Sequence, residues 1–279
     1  MYIYLNNDFV EAEKAMLHVS DLAIQRGYGI FDFFRVRKGV LLFVEDHLDR
    51  FLHSAKLMHL QVPYTKDALH AILKDLAHRN QQPESGMRMI LTGGYSPDAY
   101  QPVAPNFIVM QSPLVVPDAT TPKSVSIITH DYVRDIPEAK TLNYTMGIWL
   151  QPKVKEHQAD DVLYHHNGVV TEFPRCNFFI VKKDGTVVTP AHHALKGVTR
   201  KRVLELSRKG YAVAEGVVTL ADVLEAEEAF LTSSTKRIQA IVKIDGRMVG
   251  NGTPGKVTTQ LLHELLEAER NYVSENAEG

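Results

Sequence analysis

Four stretches of the chain hold residue types that could share one chemical task. The first is Glu138-Ala139-Lys140-Thr141-Leu142-Asn143-Tyr144. Most lysines are solvated and charged. A lysine near a bound cation and partly desolvated has a lowered pKa and becomes a nucleophile toward an aldehyde. The pattern places Lys140 where a loop passes into a helix, with Asn143 and Tyr144 nearly one turn on. The second stretch runs from Asn167 to Asn177, and its Glu172 closes an apolar strand. Glu172 reads either as an edge charge or as an acid that keeps a ring nitrogen protonated. The third is Leu195-Lys196-Gly197-Val198-Thr199-Arg200, directly before a helix. Its glycine allows close backbone approach, Thr199 is a candidate N-cap, and free N–H groups at a helix start favour a phosphate. The fourth, Leu231-Thr232-Ser233-Ser234-Thr235, ends a strand with successive hydroxyls. Each stretch alone has an ordinary structural reading. Together they supply an amine that traps a carbonyl, an acid for a ring nitrogen and two phosphate cradles.

The elements that must position these residues follow from periodicity. Met1 to Val10 reads as a hairpin turning at Asn6-Asn7, and Gly29 to Phe43 as two strands turning at Lys38-Gly39. From Glu45 the period becomes helical, with Leu48, Phe51, Leu52, Ala55 and Met58 on one face. A second helix spans about Lys66 to Arg79, and strands follow at Gly86 to Thr92 and Asn106 to Gln111. Three prolines between Ser112 and Pro122 mark a linker. Beyond it come a strand from Ser124, a helix from Thr141 through Glu156, and a hairpin from Val162 to Glu172 turning at Asn167-Gly168. Strands at Asn177 to Val181, Thr186 to Thr189 and Glu228 to Thr232 mix with helices at Arg200 to Lys209, Thr219 to Ala226 and Lys256 to Tyr272. This order predicts an α/β (α+β) chain of two domains, residues 1–112 and 123–279, joined by a linker at 113–122.

Charge excludes some functions. Lys plus Arg total 31 and Asp plus Glu total 33, a formal charge of -2, so no basic surplus points to nucleic acid. Arg200-Lys201-Arg202 reads as a solvated helix face. The one cysteine, Cys176, allows no intrachain disulfide and suits a reducing compartment, where it packs as a small apolar residue. Met1 to Glu13 lacks the pattern of a signal peptide, and no apolar run is long enough to span a bilayer, so the expected location is cytoplasmic. The pairs His165-His166 and His192-His193 lack the spacing of a helical metal site, and no metal is expected.

The four stretches, in this order, resemble those of the fold-type IV pyridoxal-phosphate enzymes: D-amino-acid and branched-chain aminotransferases, amine transaminases and aminodeoxychorismate lyases. The resemblance covers nearly the whole chain, from Leu17 through the Arg26-Gly27-Tyr28-Gly29-Ile30-Phe31-Asp32 run and His47-Leu48-Asp49-Arg50 to Thr235. It implies a small α/β N-terminal domain, a larger pseudo-barrel C-terminal domain with pyridoxal 5'-phosphate between them, and a homodimer that shares residues across its active sites. It implies Lys140 as the Schiff-base lysine and proton shuttle, Glu172 as partner of the pyridine nitrogen, and Leu195 as the apolar residue under the ring. Arg50, Val198, Thr199, Ser234 and Thr235 are implied as the phosphate ligands, and Tyr144 as a partner of the 3-hydroxyl.

The implied reaction is ping-pong transfer of an amino group between an amino acid and a 2-oxo acid. The stretch Leu91-Thr92-Gly93-Gly94-Tyr95-Ser96-Pro97 lacks the arginine that common D-amino-acid aminotransferases use for the α-carboxylate. A subset of D-amino-acid transaminases with similar motifs uses other arginines, which implies Arg175, with Arg26 from either subunit, for that role; the alternatives are an ion pair and a surface charge. Phe31 and Asp32 stand where other members place pocket residues. D-Alanine or D-glutamate is the expected donor. Branched-chain L-amino-acid transfer, an aminodeoxychorismate lyase reaction and a non-catalytic binding module are the alternatives.

Overall fold

The computed structural model describes residues 1–277 of the chain. They fall into two units, one of Met1–Val116, Ala139–Asn143 and the residues from Arg270 on, the other of Pro117–Glu138 and Tyr144–Glu269.

The first unit contains strands β1 (Tyr2–Leu5) and β2 (Asp8–Glu11), the short helix α1 (Leu22–Arg26), strands β3 (Gly29–Arg37) and β4 (Val40–Leu41), helices α2 (Val44–Leu57) and α3 (Lys66–Asn80), and strands β5 (Glu84–Thr92) and β6 (Phe107–Pro113). The strands form one antiparallel sheet in the order β2-β1-β6-β5-β3-β4. Because successive side chains of a strand point to opposite faces, β3 sends Ile30, Phe34 and Val36 into the core. There they join Leu48, Phe51 and Ala55 of α2 and Leu69, Leu73 and Leu76 of α3, which recur at helical spacing. Phe31 and Phe33 lie on the other face and stay half-buried. Asp32 sits on the core-facing side and is fully buried.

The second unit contains β7 (Ser124–Asp131), helices α4 (Thr145–Trp149) and α5 (Gln151–Glu156), strands β8 (Asp161–His166), β9 (Val169–Val170), β10 (Asn177–Val181) and β11 (Val187–Pro190), helix α6 (Val198–Ser207), β12 (Val213–Gly216), α7 (Leu220–Glu225), β13 (Glu228–Ser233), β14 (Arg237–Ile244) and β15 (Arg247–Met248). The last helix, α8 (Lys256–Asn276), begins in this unit. Nine strands form a mixed sheet in the order β12-β11-β10-β13-β14-β7-β8-β9, with β15 beside β14. Ala229 and Leu231 of β13 pack with Phe178 and Ile180 on one face, while Phe230 packs with Phe179, Val203, Leu261 and Leu265 on the other. A sheet covered on both faces explains why Phe178-Phe179-Ile180-Val181 shows no polar alternation.

Three sequence expectations change. The helix expected from Thr141 to Glu156 is two shorter helices that start at Thr145 and break at Leu150, where Pro152 removes a backbone donor. Thr141 instead bridges to Ile30 as a short extension of the first sheet. Arg200 is not part of a solvated face: it is 4% exposed, and its guanidinium donates to Glu215 at 2.8 Å and to the Pro190 carbonyl at 3.0 Å.

Two buried charges organise the start of β14 and the start of α8. Arg237 donates to Glu269, Asp118 and the Pro117 carbonyl at 2.7–2.9 Å. Glu228 accepts from Val257 N–H, Thr258 N–H and the Thr258 hydroxyl at 2.7–3.0 Å, which satisfies the open amides of the first turn of α8. A Cβ at Gly255 would stand 1.9 Å from the Glu228 carboxyl carbon, so only glycine lets that carboxylate reach the helix. Glu228→Ala is expected to destabilise the chain by about 1–3 kcal/mol, the cost of leaving buried donors unpaired. A urea titration with an unchanged midpoint would show that the cap contributes nothing.

Candidate active site

Lys140 is clamped by backbone contacts from two elements of the first unit. Its carbonyl accepts from Phe31 N–H at 2.9 Å, and Leu142 N–H donates to the Gly29 carbonyl at 2.9 Å, so residues 140–142 pair with the start of β3. Its own N–H donates to the buried Ser54 hydroxyl of α2 at 3.1 Å. The side chain runs to Phe31, with Nζ 4.4 Å from the ring centroid. Lys140 is thus held in an extended loop and not at the helix start that periodicity suggests. The same Phe31 ring lies 5.7 Å from the Arg88 guanidinium carbon, and Phe33 lies 5.9 Å from it. Arg88 is exposed and has no acidic partner among the described residues.

One residue along β3, Asp32 binds Arg50. Arg50 Nε donates to Asp32 Oδ2 and its terminal nitrogen to Oδ1, both at 2.8 Å, a bidentate fork. His47 Nδ1 lies 2.7 Å from the same Oδ1. Burial alone would raise the Asp32 pKa, but the charge of Arg50 and the contact with His47 outweigh it and hold the carboxyl well below the usual range. Burial lowers the His47 pKa despite the neighbouring carboxylate. Asp32, expected to shape a pocket, is 0% exposed and committed to Arg50, so it lines none.

In the second unit Glu172 is 4% exposed, and both of its carboxylate oxygens are engaged. Oε2 accepts from Leu195 N–H at 2.9 Å, and Oε1 accepts from Arg134 at 2.6–2.7 Å. Arg134 also donates to the Pro137 carbonyl. The ion pair that stood as the alternative reading of Arg175 is absent: the partner of Glu172 is Arg134, and Arg175 is exposed with no acidic partner among the described residues. Asn177 Nδ2 donates to the Leu195 carbonyl at 2.7 Å, tying the Glu172 region to the segment before α6.

Gly197, not Thr199, is the N-cap of α6, and no side chain caps it. Val198 and Thr199 are the first two helical residues, so their N–H groups have no partner within the helix. A Cβ at Gly197 would meet Asn177 Oδ1 at 2.1 Å, which explains the glycine. Ser234 is half-buried and Thr235 exposed in the turn between β13 and β14. Thr232, opposite Asn177 in the ladder, is 1% exposed, and its hydroxyl has no partner among the described residues. Tyr144 is the N-cap residue of α4 and half-buried. Arg26 lies in the last turn of α1, exposed, its guanidinium on the Gln25 carbonyl at 3.1 Å.

Periodicity missed Ser54, His47, Arg134 and Arg88. One signal was available: the alternation of β3 puts a charge at Asp32 on its apolar face, and such a charge demands a cation. Cys176 is buried, and burial pushes its thiol up to about 11. Among the described residues no group of three or more His, Cys, Asp or Glu can hold a metal ion, and no helix is long and apolar enough to cross a membrane.

A family model for the class IV amino-transferases matches residues 29–244. A D-alanine aminotransferase of Bacillus licheniformis is 27% identical over 99% of both chains, and one of Listeria monocytogenes is 30% identical over 96% of both. Among solved structures, a hypothetical aminotransferase from Mycobacterium tuberculosis in its PLP-bound form has a TM-score of 0.81 at 27% identity, covering 99% of this chain and all of that one. Escherichia coli branched-chain amino acid aminotransferase has a TM-score of 0.89 at 24% identity, covering 96% of this chain and 94% of that one, a likeness of fold.

The residues suit pyridoxal phosphate. A phosphate needs open amides and hydroxyls, which an uncapped helix start, a glycine without room for a Cβ and an orphaned buried hydroxyl provide. A ring nitrogen needs an anion that water does not screen, which Glu172 provides. An aldehyde needs an amine in a fixed place, which the Lys140 clamp provides. From its family match, its fold and these chemical groups, the chain belongs to the class IV aminotransferases, enzymes that work with pyridoxal 5'-phosphate.

Proposed function

We propose that the chain moves amino groups between D-amino acids and 2-oxo acids, with Lys140 as its covalent and proton-transferring residue. The observation that carries this reading is the double clamp on Lys140, which sets an amine against Phe31. The D-preference draws support from the full-length relatives named D-alanine aminotransferase and from Arg26, Arg88 and Arg175, which have no acidic partner among the described residues.

Bound cofactor supplies an aldehyde carbon that traps an amine and a protonated ring that takes up electron density. The chain's own residues do the rest. The Lys140 amine would tether the cofactor aldehyde and, when free, would hold and move the substrate's α-proton. Glu172, held by Arg134 and the Leu195 N–H, would offer its carboxylate to the ring nitrogen. Leu195 and Tyr144 would contact the ring of a bound cofactor, and Arg50, Val198, Thr199, Ser234 and Thr235 would hold its phosphate. Arg175 and Arg26 take the α-carboxylate, Arg26 from either protomer of a homodimer. Phe31 borders the side-chain pocket, and Arg88 beside it adds a cation suited to a second carboxylate, as in D-glutamate and 2-oxoglutarate.

Purified protein mixed with a panel of D- and L-amino acids is expected to change its cofactor spectrum with D-substrates only. A change with branched-chain L-amino acids alone would replace this reading by the branched-chain one. Release of pyruvate from aminodeoxychorismate without an acceptor would replace it by a lyase.

Lys140→Ala is expected to lower turnover by more than about a thousandfold while the protein still binds cofactor. Near wild-type transamination by this variant would end the proposal.

Arg175→Ala and Arg26→Ala are expected to raise KM for D-alanine on the order of tenfold or more, since each removes a charged partner of the carboxylate. Unchanged kinetics in both variants would take the α-carboxylate role away from them. Arg88→Ala is expected to raise KM for D-glutamate by roughly tenfold and to leave D-alanine within about twofold. An equal effect on the two substrates would show that Arg88 does not read the second carboxylate.

A further inference from the structure

Arg50 is half-buried, and one edge of its guanidinium is already occupied. Nε and one terminal nitrogen are spent on Asp32. Asp32 is in turn saturated: Oδ1 also accepts from Phe33 N–H at 2.7 Å and lies 2.7 Å from His47 Nδ1. That contact requires the proton of His47 to sit on Nδ1, because a carboxylate can only accept. The 3.2 Å approach of Arg50 to the same nitrogen is then close packing and not a hydrogen bond. The imidazole rests against Phe34 with ring centroids 5.3 Å apart, so it cannot swing away without disturbing the core. Among the described residues, the second terminal nitrogen of Arg50 is the edge left over.

This arrangement does more than neutralise a buried acid. An arginine side chain has many rotamers and loses that freedom on being fixed. Here a carboxylate anchored to the strand backbone and to a histidine removes that freedom before any ligand arrives. It also cancels the net charge of Arg50, so attraction for an anion comes from the direction of the free N–H groups more than from the charge itself.

We infer that Asp32 and His47 are positioning residues that aim the free edge of Arg50 at the cofactor phosphate. The inference rests on the proposed role of Arg50 as a phosphate ligand. Its consequence is selective: a ligand with a phosphate should feel the loss of Asp32, and the same ligand without one should not. In Asp32→Asn the amide nitrogen would turn a donor toward an N–H of the guanidinium, which pushes the fork off its line. His47→Asn is the milder variant, since it removes one donor and leaves the carboxylate.

The test is to titrate the full-length chain, freed of cofactor, with pyridoxal 5'-phosphate and with pyridoxal, following absorbance. Circular dichroism and melting temperature are recorded on every variant. The ratio of the two affinities is the readout. Asp32→Asn is expected to shrink the preference for the phosphorylated form by about 10- to 100-fold, the range seen when orienting partners of metal ligands are removed. His47→Asn is expected to shrink it several-fold, and neither variant should change pyridoxal affinity. A lowered melting temperature with the ratio unchanged in both variants would overturn the inference and leave Asp32 and His47 as purely structural groups. If Arg50→Gln also keeps the ratio, Arg50 is not a phosphate ligand and the underlying reading fails instead.

Discussion

A carboxylate removed from water must be answered by donors, and in this chain that requirement arranges the neighbourhood of each candidate group. Leaving an ionised carboxylate unpaired in the interior costs several kcal/mol or more, so its partners are not optional. Asp32 on the core face of β3 fixes Arg50 and His47 on α2. Glu172 fixes Arg134 and the Leu195 backbone. Glu228 fixes the first turn of α8. In each case one buried acid converts a sequence-distant segment into a rigid neighbour. Breaking such a pair is costly because the remaining charge stays buried, whereas surface pairs such as Lys14 with Glu11 contribute little.

Local pattern and distant pairing divide what the sequence made readable. The helices α2 and α3 and the turns at Asn6-Asn7, Lys38-Gly39 and Asn167-Gly168 follow from period and turn chemistry, and each is present. The strand β14 was missed because Arg237 and Lys243 make it read as surface, while Arg237 is in fact buried by Glu269 and Asp118. The helix from Thr141 was overdrawn because its first residues have helix-compatible character, yet their backbone groups are taken by β3. No local rule reveals that Lys140 pairs with Phe31, more than a hundred residues earlier. The same holds for the candidate site: Lys140, Arg50 and Glu172 were legible as residue types in a familiar order, and their partners Ser54, His47 and Arg134 were not. A partner of this kind is specified by burial and proximity, which only the fold supplies.

Strand β3 has a particular place in this scheme because its alternation separates two tasks. Its inward residues carry Asp32 to the helices, and its outward residues carry Phe31 to Lys140. A shift in register by one residue would exchange the faces and lose both contacts at once. Its full-length pairing with β5, from Gly29 opposite Thr92 to Arg37 opposite Glu84, guards against such a slip.

Seven of the arginines fall into two groups by what surrounds them. Arg50, Arg134, Arg200 and Arg237 each meet a carboxylate at 2.6–2.8 Å and are half-buried or buried. Their charge is already balanced, so they act by direction. Arg26, Arg88 and Arg175 are exposed and meet no carboxylate among the described residues. Their charge is unspent in the folded chain, and an incoming carboxylate gains from it without displacing an internal partner. That asymmetry is the physical reason for seeking substrate recognition among exposed arginines such as these and cofactor positioning among the paired ones.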